Sequence, residues 1–75
     1  MTRGFPLSVA RAGSRVRVSA LRGGDEMKRH LASLGFVEGS DVEVVTQAGG
    51  QVIVTVKGAR FGLNRETSRN VFVVE

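Results

Sequence analysis

Side chains able to do acid, base or nucleophilic chemistry are few and scattered in this 75-residue sequence. There is one histidine, His30, and no cysteine. A hydrolytic triad or a zinc site needs a histidine that converges with further partners. Glu26, one helical turn away, does not supply them, so His30 reads as a solvated surface group. Asp41 and Glu43 are two residues apart, which on a strand puts them on one face. They could act as paired carboxylates in general acid–base chemistry. The better reading pairs them with Arg15 and Arg17, which carry the same spacing on an earlier alternating segment, as cross-strand ion pairs. Arg22-Gly23-Gly24-Asp25 precedes a helical segment, and a helix N-terminus can hold an anion. No Lys-Ser or Lys-Thr follows as a P-loop requires, and Asp25 and Glu26 would repel a phosphate.

The balance of charge points to contact rather than catalysis. Eleven Lys and Arg against seven Asp and Glu leave a formal net charge of +4. A basic surface suits nucleic acid, anionic lipid or an acidic protein face. The charge forms no block. Arg3, Arg11, Arg15, Arg17, Arg22, Lys28, Arg29, Lys57, Arg60, Arg65 and Arg69 are spread along the chain. Small barrels that bind RNA or single strands stack bases on aromatic side chains beside a basic groove. Here there is no Trp and no Tyr, and the four Phe are Phe5, Phe36, Phe61 and Phe72. Phe36 and Phe61 stand where a core needs them. Phe72 alternates with Val71 and Val73 and is the candidate for exposure.

These residues must be positioned by short elements. The length suits one domain, residues 1–75, and an apolar fraction of 41% argues against wholesale disorder. No run approaches the roughly 20 apolar residues of a membrane span. Met1 to Ala12 lacks the continuous apolar stretch of a signal peptide. Absence of cysteine fits a reducing compartment, so a cytoplasmic location is expected. A core this small gains from a neighbouring subunit or partner, and a homo-oligomer is one source.

Leu7-Ser8-Val9-Ala10 reads as an opening turn with Ser8 as its N-cap. Ser14 to Ala20 alternates, with Val16, Val18 and Ala20 on one face and Arg15, Arg17 and Ser19 on the other, as in a half-buried strand. Gly23-Gly24 breaks it. Asp25 to Leu34 switches to helical period, with Met27, Leu31 and Leu34 as one apolar stripe. Asp25 with Arg29, and Glu26 with His30, are i, i+4 pairs on the other side. Gly35 stands where a left-handed C-terminal cap is needed. Strands at Asp41–Thr46 and Gln51–Lys57 flank the Gly49-Gly50 reversal, a hairpin signal. A short strand at Arg60–Leu63 follows, then a turn capped by Asn64 and ended by Asn70, then a last strand at Val71–Val74. One curled sheet with the helix closing an open end buries the valines best.

Several stretches together resemble the FeoA family, the small cytosolic partner of the bacterial ferrous-iron transporter FeoB. Pro6-Leu7-Ser8 with Gly13 and the strand after it resembles the family opening. Leu31 to Val42, with Leu34-Gly35-Phe36 and the Gly39 turn into a strand, resembles its central signature. Gly49-Gly50 followed by Val52-Ile53-Val54 matches the hairpin, and Gly58 to Leu63, Arg65-Glu66, Val71 and Val73 match the C-terminal end. Glu38 stands where a proline is common, Ala10 for a larger apolar residue, Ala12 for a frequent proline and Ser68 for the usual alanine. The resemblance implies a mostly β fold, a small SH3-like barrel of about five short strands with one helix between the first and second strands. It also implies an accessory role in ferrous-iron uptake through contact with the cytosolic region of a FeoB-type transporter, with no cofactor of its own and the membrane reached only through that partner. The same module occurs in metal-dependent repressors of the diphtheria-toxin-repressor type, but 75 residues leave no room for their DNA-binding domain. A basic RNA- or single-strand-binding barrel is the reading from another class.

The expected contact surface is made of exposed basic residues around a small apolar patch: Arg22, Arg29, Arg60, Arg65 and Phe72. The valines are needed inside, and Arg15 and Arg17 are matched by Asp41 and Glu43. Arg and aromatic residues are enriched at interface anchors. The missing triad, P-loop and ligand cluster set the first prediction. Pure protein is expected to show no GTPase, hydrolase or iron-oxidising turnover, and no tight stoichiometric ferrous binding by the monomer. Turnover that disappears when one of its own polar residues is changed would contradict this.

Overall fold

The computed structural model describes residues 4–75. Arg3 and the start of the opening segment lie outside them. Strand β1 (Phe5–Pro6) runs into one 3-10 turn at Leu7–Val9. Then come β2 (Arg15–Leu21), helix α1 (Asp25–Ser33), β3 (Asp41–Ala48), β4 (Gln51–Val56), β5 (Ala59–Leu63), helix α2 (Arg65–Arg69) and β6 (Val71–Val74). All six strands join one antiparallel sheet in the order β1-β6-β2-β3-β4-β5.

The valines explain why the sheet curls. Val16 and Val18 of β2, Val42 and Val44 of β3, Val52, Val54 and Val56 of β4, and Val71 and Val73 of β6 are all buried in one cluster. Alternation puts them on one face of each strand, and a flat sheet could not bring four such faces together. Leu7, Leu31, Phe36 and Leu63 complete the interior. Full burial of side chains of this size stabilises by about 1.5–3 kcal/mol each before chain entropy is counted.

Two bulges bend the strands, and both change what the alternation alone predicts. β2 pairs Val18 with Val73 but Ala20 with Phe72, so Ser19 is an extra residue. The bulge moves Ala20 off the Val16–Val18 face and opposite Phe72, and Leu21, opposite Val71, packs on the core instead. On β3 the extra residue is Val45, between Val44 opposite Val54 and Thr46 opposite Ile53. A bulge bends its strand and increases local twist, which a small closed core requires.

Several other expectations are corrected. Among the described residues there are six strands rather than about five, because Phe5–Pro6 pairs with β6; two residues, one of them proline, show no periodicity. The main helix therefore lies between the second and third strands, and the capped turn after Asn64 is a second helix. Ser8 is not an N-cap. It is buried inside the 3-10 turn, which begins after Pro6. Strand β4 ends at Val56, because Lys57 and Gly58 both take positive φ (52° and 82°) in a two-residue turn. The Asp25–Arg29 and Glu26–His30 pairs do not close: among the described residues the one ion pair within 4.0 Å is Arg17–Asp41, at 3.5 Å. Solvated i, i+4 pairs are worth only about 0.2–0.5 kcal/mol, too little to hold long side chains together.

The cap at Gly35 forms as expected. After Leu34, Gly35 takes φ of 100°. Its N–H donates to Ala32 O at 3.0 Å, and the Phe36 N–H donates to Leu31 O at 3.0 Å. These are the two bonds of a Schellman motif, and Leu31 and Phe36, at its ends, are both fully buried. A Cβ at position 35 would lie 3.2 Å from Val56 Cγ1. Gly35→Val is expected to lower stability by at least about 1 kcal/mol, from left-handed strain on a β-branched residue and crowding of β4. Urea melts of both proteins measure it, and an unchanged midpoint would contradict the cap's role.

Candidate partner-binding surface

With the valines inside, the outer face of the sheet carries the charged and exposed side chains. Arg15 lies opposite Glu43, Glu43 opposite Thr55, and Thr55 opposite Arg60, one row across β2, β3, β4 and β5. Beside it Val74 lies opposite Arg17, and Arg17 opposite Asp41. The expected facing of Arg15 and Arg17 toward Glu43 and Asp41 is thus the observed register. Arg15, Arg17, Asp41, Glu43, Thr55 and Val74 line a shallow groove of about 460 Å³. The Arg17–Asp41 pair is well exposed, and such pairs contribute about 0–1 kcal/mol. Asp41 is thus an exposed, salt-linked surface group, whereas Glu43 faces Arg15 in register without closing the expected ion pair within 4.0 Å.

The structure brings two of the five expected contact residues together. The Arg22 guanidinium lies over the Phe72 ring, with Cζ 4.9 Å from its centroid. Three elements build this arrangement. Strand β6 points Phe72 outward between buried Val71 and Val73. The Ser19 bulge sets Ala20 opposite it on one side, and β1 sets Pro6 opposite it on the other. Arg22, just past the end of β2, is held in place by its own N–H, which donates to Asn70 O at 2.7 Å. A Cβ on Gly4 would lie 2.6 Å from Ser19 Oγ and 3.5 Å from Phe72 Cβ, so the opening backbone runs close beside the ring. Stacking of an exposed cation on an aromatic face is worth about 0.5–1 kcal/mol. No acid lies within 4.0 Å of Arg22 among the described residues.

The other three are placed apart. Arg29 is exposed on α1, and Arg60 is exposed on the edge strand β5. Arg65 begins α2 and donates from Nε to Gly49 O at 2.9 Å. Its Cγ is so near Gly50 that a Cβ there would meet it at 2.9 Å. Ser68 of the same helix is buried, with Oγ 2.6 Å from Gly50 O. Arg65 and Ser68 therefore tie helix α2 to the tip of the β3–β4 hairpin. Asn64 caps that helix by accepting the Thr67 N–H at 2.8 Å.

The apolar floor around Phe72, made by Pro6 and Ala20, is not apparent from alternation. One signal was available: Ala20 and Leu21 are consecutive apolar residues, which breaks the strand period. His30 is exposed on α1. Among the described residues no group of three His, Cys, Asp or Glu is placed to hold a metal ion, and no helix is long and apolar enough to cross a membrane.

Fold and surface together define the class: a small mostly β barrel of SH3 type. The chain belongs to the FeoA domain family, whose pattern matches residues 5–75. It is 29% identical over 69 residues to a candidate Fe(2+) transport protein A of Methanocaldococcus jannaschii, covering 92% of this chain and 84% of that one. It superposes on a crystal structure of an iron uptake regulatory protein, FeoA, with TM-score 0.89 and 27% identity, covering 96% and 97% of the two chains. It also matches the zinc-complexed FeoA of Stenotrophomonas maltophilia, described as a prokaryotic SH3 domain protein, with TM-score 0.78, 30% identity and coverage of 95% and 89%.

The staple at the hairpin tip makes Arg65 distinguishable from the free arginines. Arg65→Ala is expected to lower stability by about 1 kcal/mol, the net worth of a hydrogen bond plus its packing. Arg29→Ala and Arg60→Ala should stay within about 0.5 kcal/mol of the parent. Denaturant midpoints measured side by side decide it; an Arg65→Ala midpoint equal to the parent's would remove the structural role.

Proposed function

We propose that this protein is a non-enzymatic cytoplasmic accessory factor of ferrous-iron uptake that binds the cytosolic region of a FeoB-type transporter and modulates it. Membership of the FeoA family and the names of its iron-transport relatives support the pathway. The observation that supports binding is the guanidinium of Arg22 stacked on Phe72, with Pro6 and Ala20 opposite that ring on the neighbouring strands. An ordered, unneutralised arginine on an aromatic anchor suits a partner face that offers a carboxylate beside an apolar side chain. Less of its side-chain entropy remains to be lost on binding, and the bidentate geometry of Arg favours a carboxylate. A base-stacking role is disfavoured, because the one outward Phe of the sheet is half-buried and already covered by Arg22.

The test is affinity for the purified FeoB cytosolic region, measured beside thermal melts. Arg22→Ala and Phe72→Ala are each expected to weaken binding about tenfold, the scale of an interface anchor, with Arg22→Ala lowering stability by no more than the roughly 0.5–1 kcal/mol of the stack it removes. Arg22→Lys should bind more weakly than the parent, since an ammonium lacks the planar fork. Absence of binding by the parent protein would overturn the partner. Normal binding by both alanine variants would overturn the surface.

A further inference from the structure

Strand β5 is the edge of the sheet: its one neighbour is β4. Of its inward-facing residues Leu63 is buried, Phe61 is half-buried against Phe36 and Ala59 is exposed, and among the described residues no strand is hydrogen-bonded to its other side. The outer-facing residues are Arg60 and Gly62. Gly62 has no positive φ and nothing within 4 Å of where its Cβ would be. It leaves a notch beside Ile53, directly opposite it on β4, which is 40% exposed. Thr46 lies on the far side of Ile53, and a recess of about 300 Å³ is lined by these residues together with Leu63 and Asn64.

We propose that β5 pairs with β5 of a second copy of this chain, antiparallel, about a two-fold axis at Phe61. Unpaired edge groups are a template for another strand, and a two-fold contact must be self-complementary. The register follows from the residues. Centring on Phe61, the middle of the five-residue strand, pairs all of β5: Ala59 with the partner subunit's Leu63, and Arg60 with the partner subunit's Gly62. Each Arg60 side chain then lies over the glycine notch, with its aliphatic stem along the exposed Ile53 of the other copy. Centring on Arg60 would set two like charges directly opposite, which is destabilising. A one-residue shift would turn one copy's inner face to the other's outer face. The contact is smaller than the roughly 1,200–2,000 Å² of a standard interface, so it is weak and concentration-dependent. It is independent of the Arg22–Phe72 surface, which lies on strands at the other end of the sheet order.

Sedimentation of the parent protein from micromolar to about 1 mM should show its mass rising from monomer toward dimer. Gly62→Lys fills the notch and opposes Arg60 with a like charge; it should stay monomeric across the same range with an unchanged melt. The register has its own readout, since the chain has no cysteine. Directly opposite residues lie about 4.5–5.5 Å apart at Cα, within the roughly 4.4–6.8 Å that a disulfide spans. A mixture of Arg60→Cys and Gly62→Cys proteins should therefore cross-link several-fold faster than either alone. A parent that stays monomeric throughout, a Gly62→Lys protein that dimerises as the parent does, or a mixture that cross-links no faster than Arg60→Cys alone would each overturn the proposal.

Discussion

Nine buried valines on four strands share one interior with Leu31 and Phe36, and a 75-residue chain without cysteine has little else to hold it together. Each valine faces inward only if its strand keeps the right parity, and the four strands meet only if the sheet curls. The bulges at Ser19 and Val45 supply that bend. They also reset parity: Leu21 turns inward where Ala20 would have been, and Gln47, opposite buried Val52, reaches the Ser8 carbonyl with its Nε2 at 2.6 Å. The core and the attachment of the opening turn thus follow from one requirement.

The same requirement determines what is left outside. β6 cannot bury Val71 and Val73 without turning Phe72 outward, and the Ser19 bulge cannot bury Leu21 without setting Ala20 beside that ring. The aromatic surface position follows from core packing, and Arg22 covers part of its cost of exposure by stacking on it. The charged rows across β2, β3, β4 and β5 have the same origin, since every inward valine has an outward neighbour that must be solvated. A surface of this kind offers guanidinium groups and one ring in fixed positions, which suits recognition.

The second helix plays a quieter part. Asn64 starts it, Arg65 and Ser68 fasten it to the hairpin tip, and Asn70 ends it by bonding Glu66 O at 3.0 Å. Its last residues lead directly into β6, and the Asn70 carbonyl accepts the Arg22 N–H. The position of Arg22 over Phe72 is therefore linked to the hairpin through one backbone bond to Asn70 and the side-chain bonds of Arg65 and Ser68. A serine at position 68, where the family resemblance leads one to expect alanine, contributes its hydroxyl to that link.

Much of this was legible in the sequence where the signal is local. Alternation over Arg15–Val18 and Gln51–Val56, the stripe Met27, Leu31 and Leu34, the glycine needed at 35, the Gly49-Gly50 reversal and the Asn64 cap all depend on residues within a few positions of one another. The facing of Arg15 and Arg17 toward Glu43 and Asp41 was readable too, because matched spacing on two alternating strands constrains their register. Tertiary structure alone decided the rest. A two-residue strand at Phe5–Pro6 exists because β6 is there to pair with it. Bulges carry no motif of their own and form where a curled sheet must bend. Arg22 meets Phe72 across fifty residues, and Arg65 meets Gly49 across sixteen. Local backbone preferences are written residue by residue, whereas contacts between distant segments exist only once the shared core has brought the segments together.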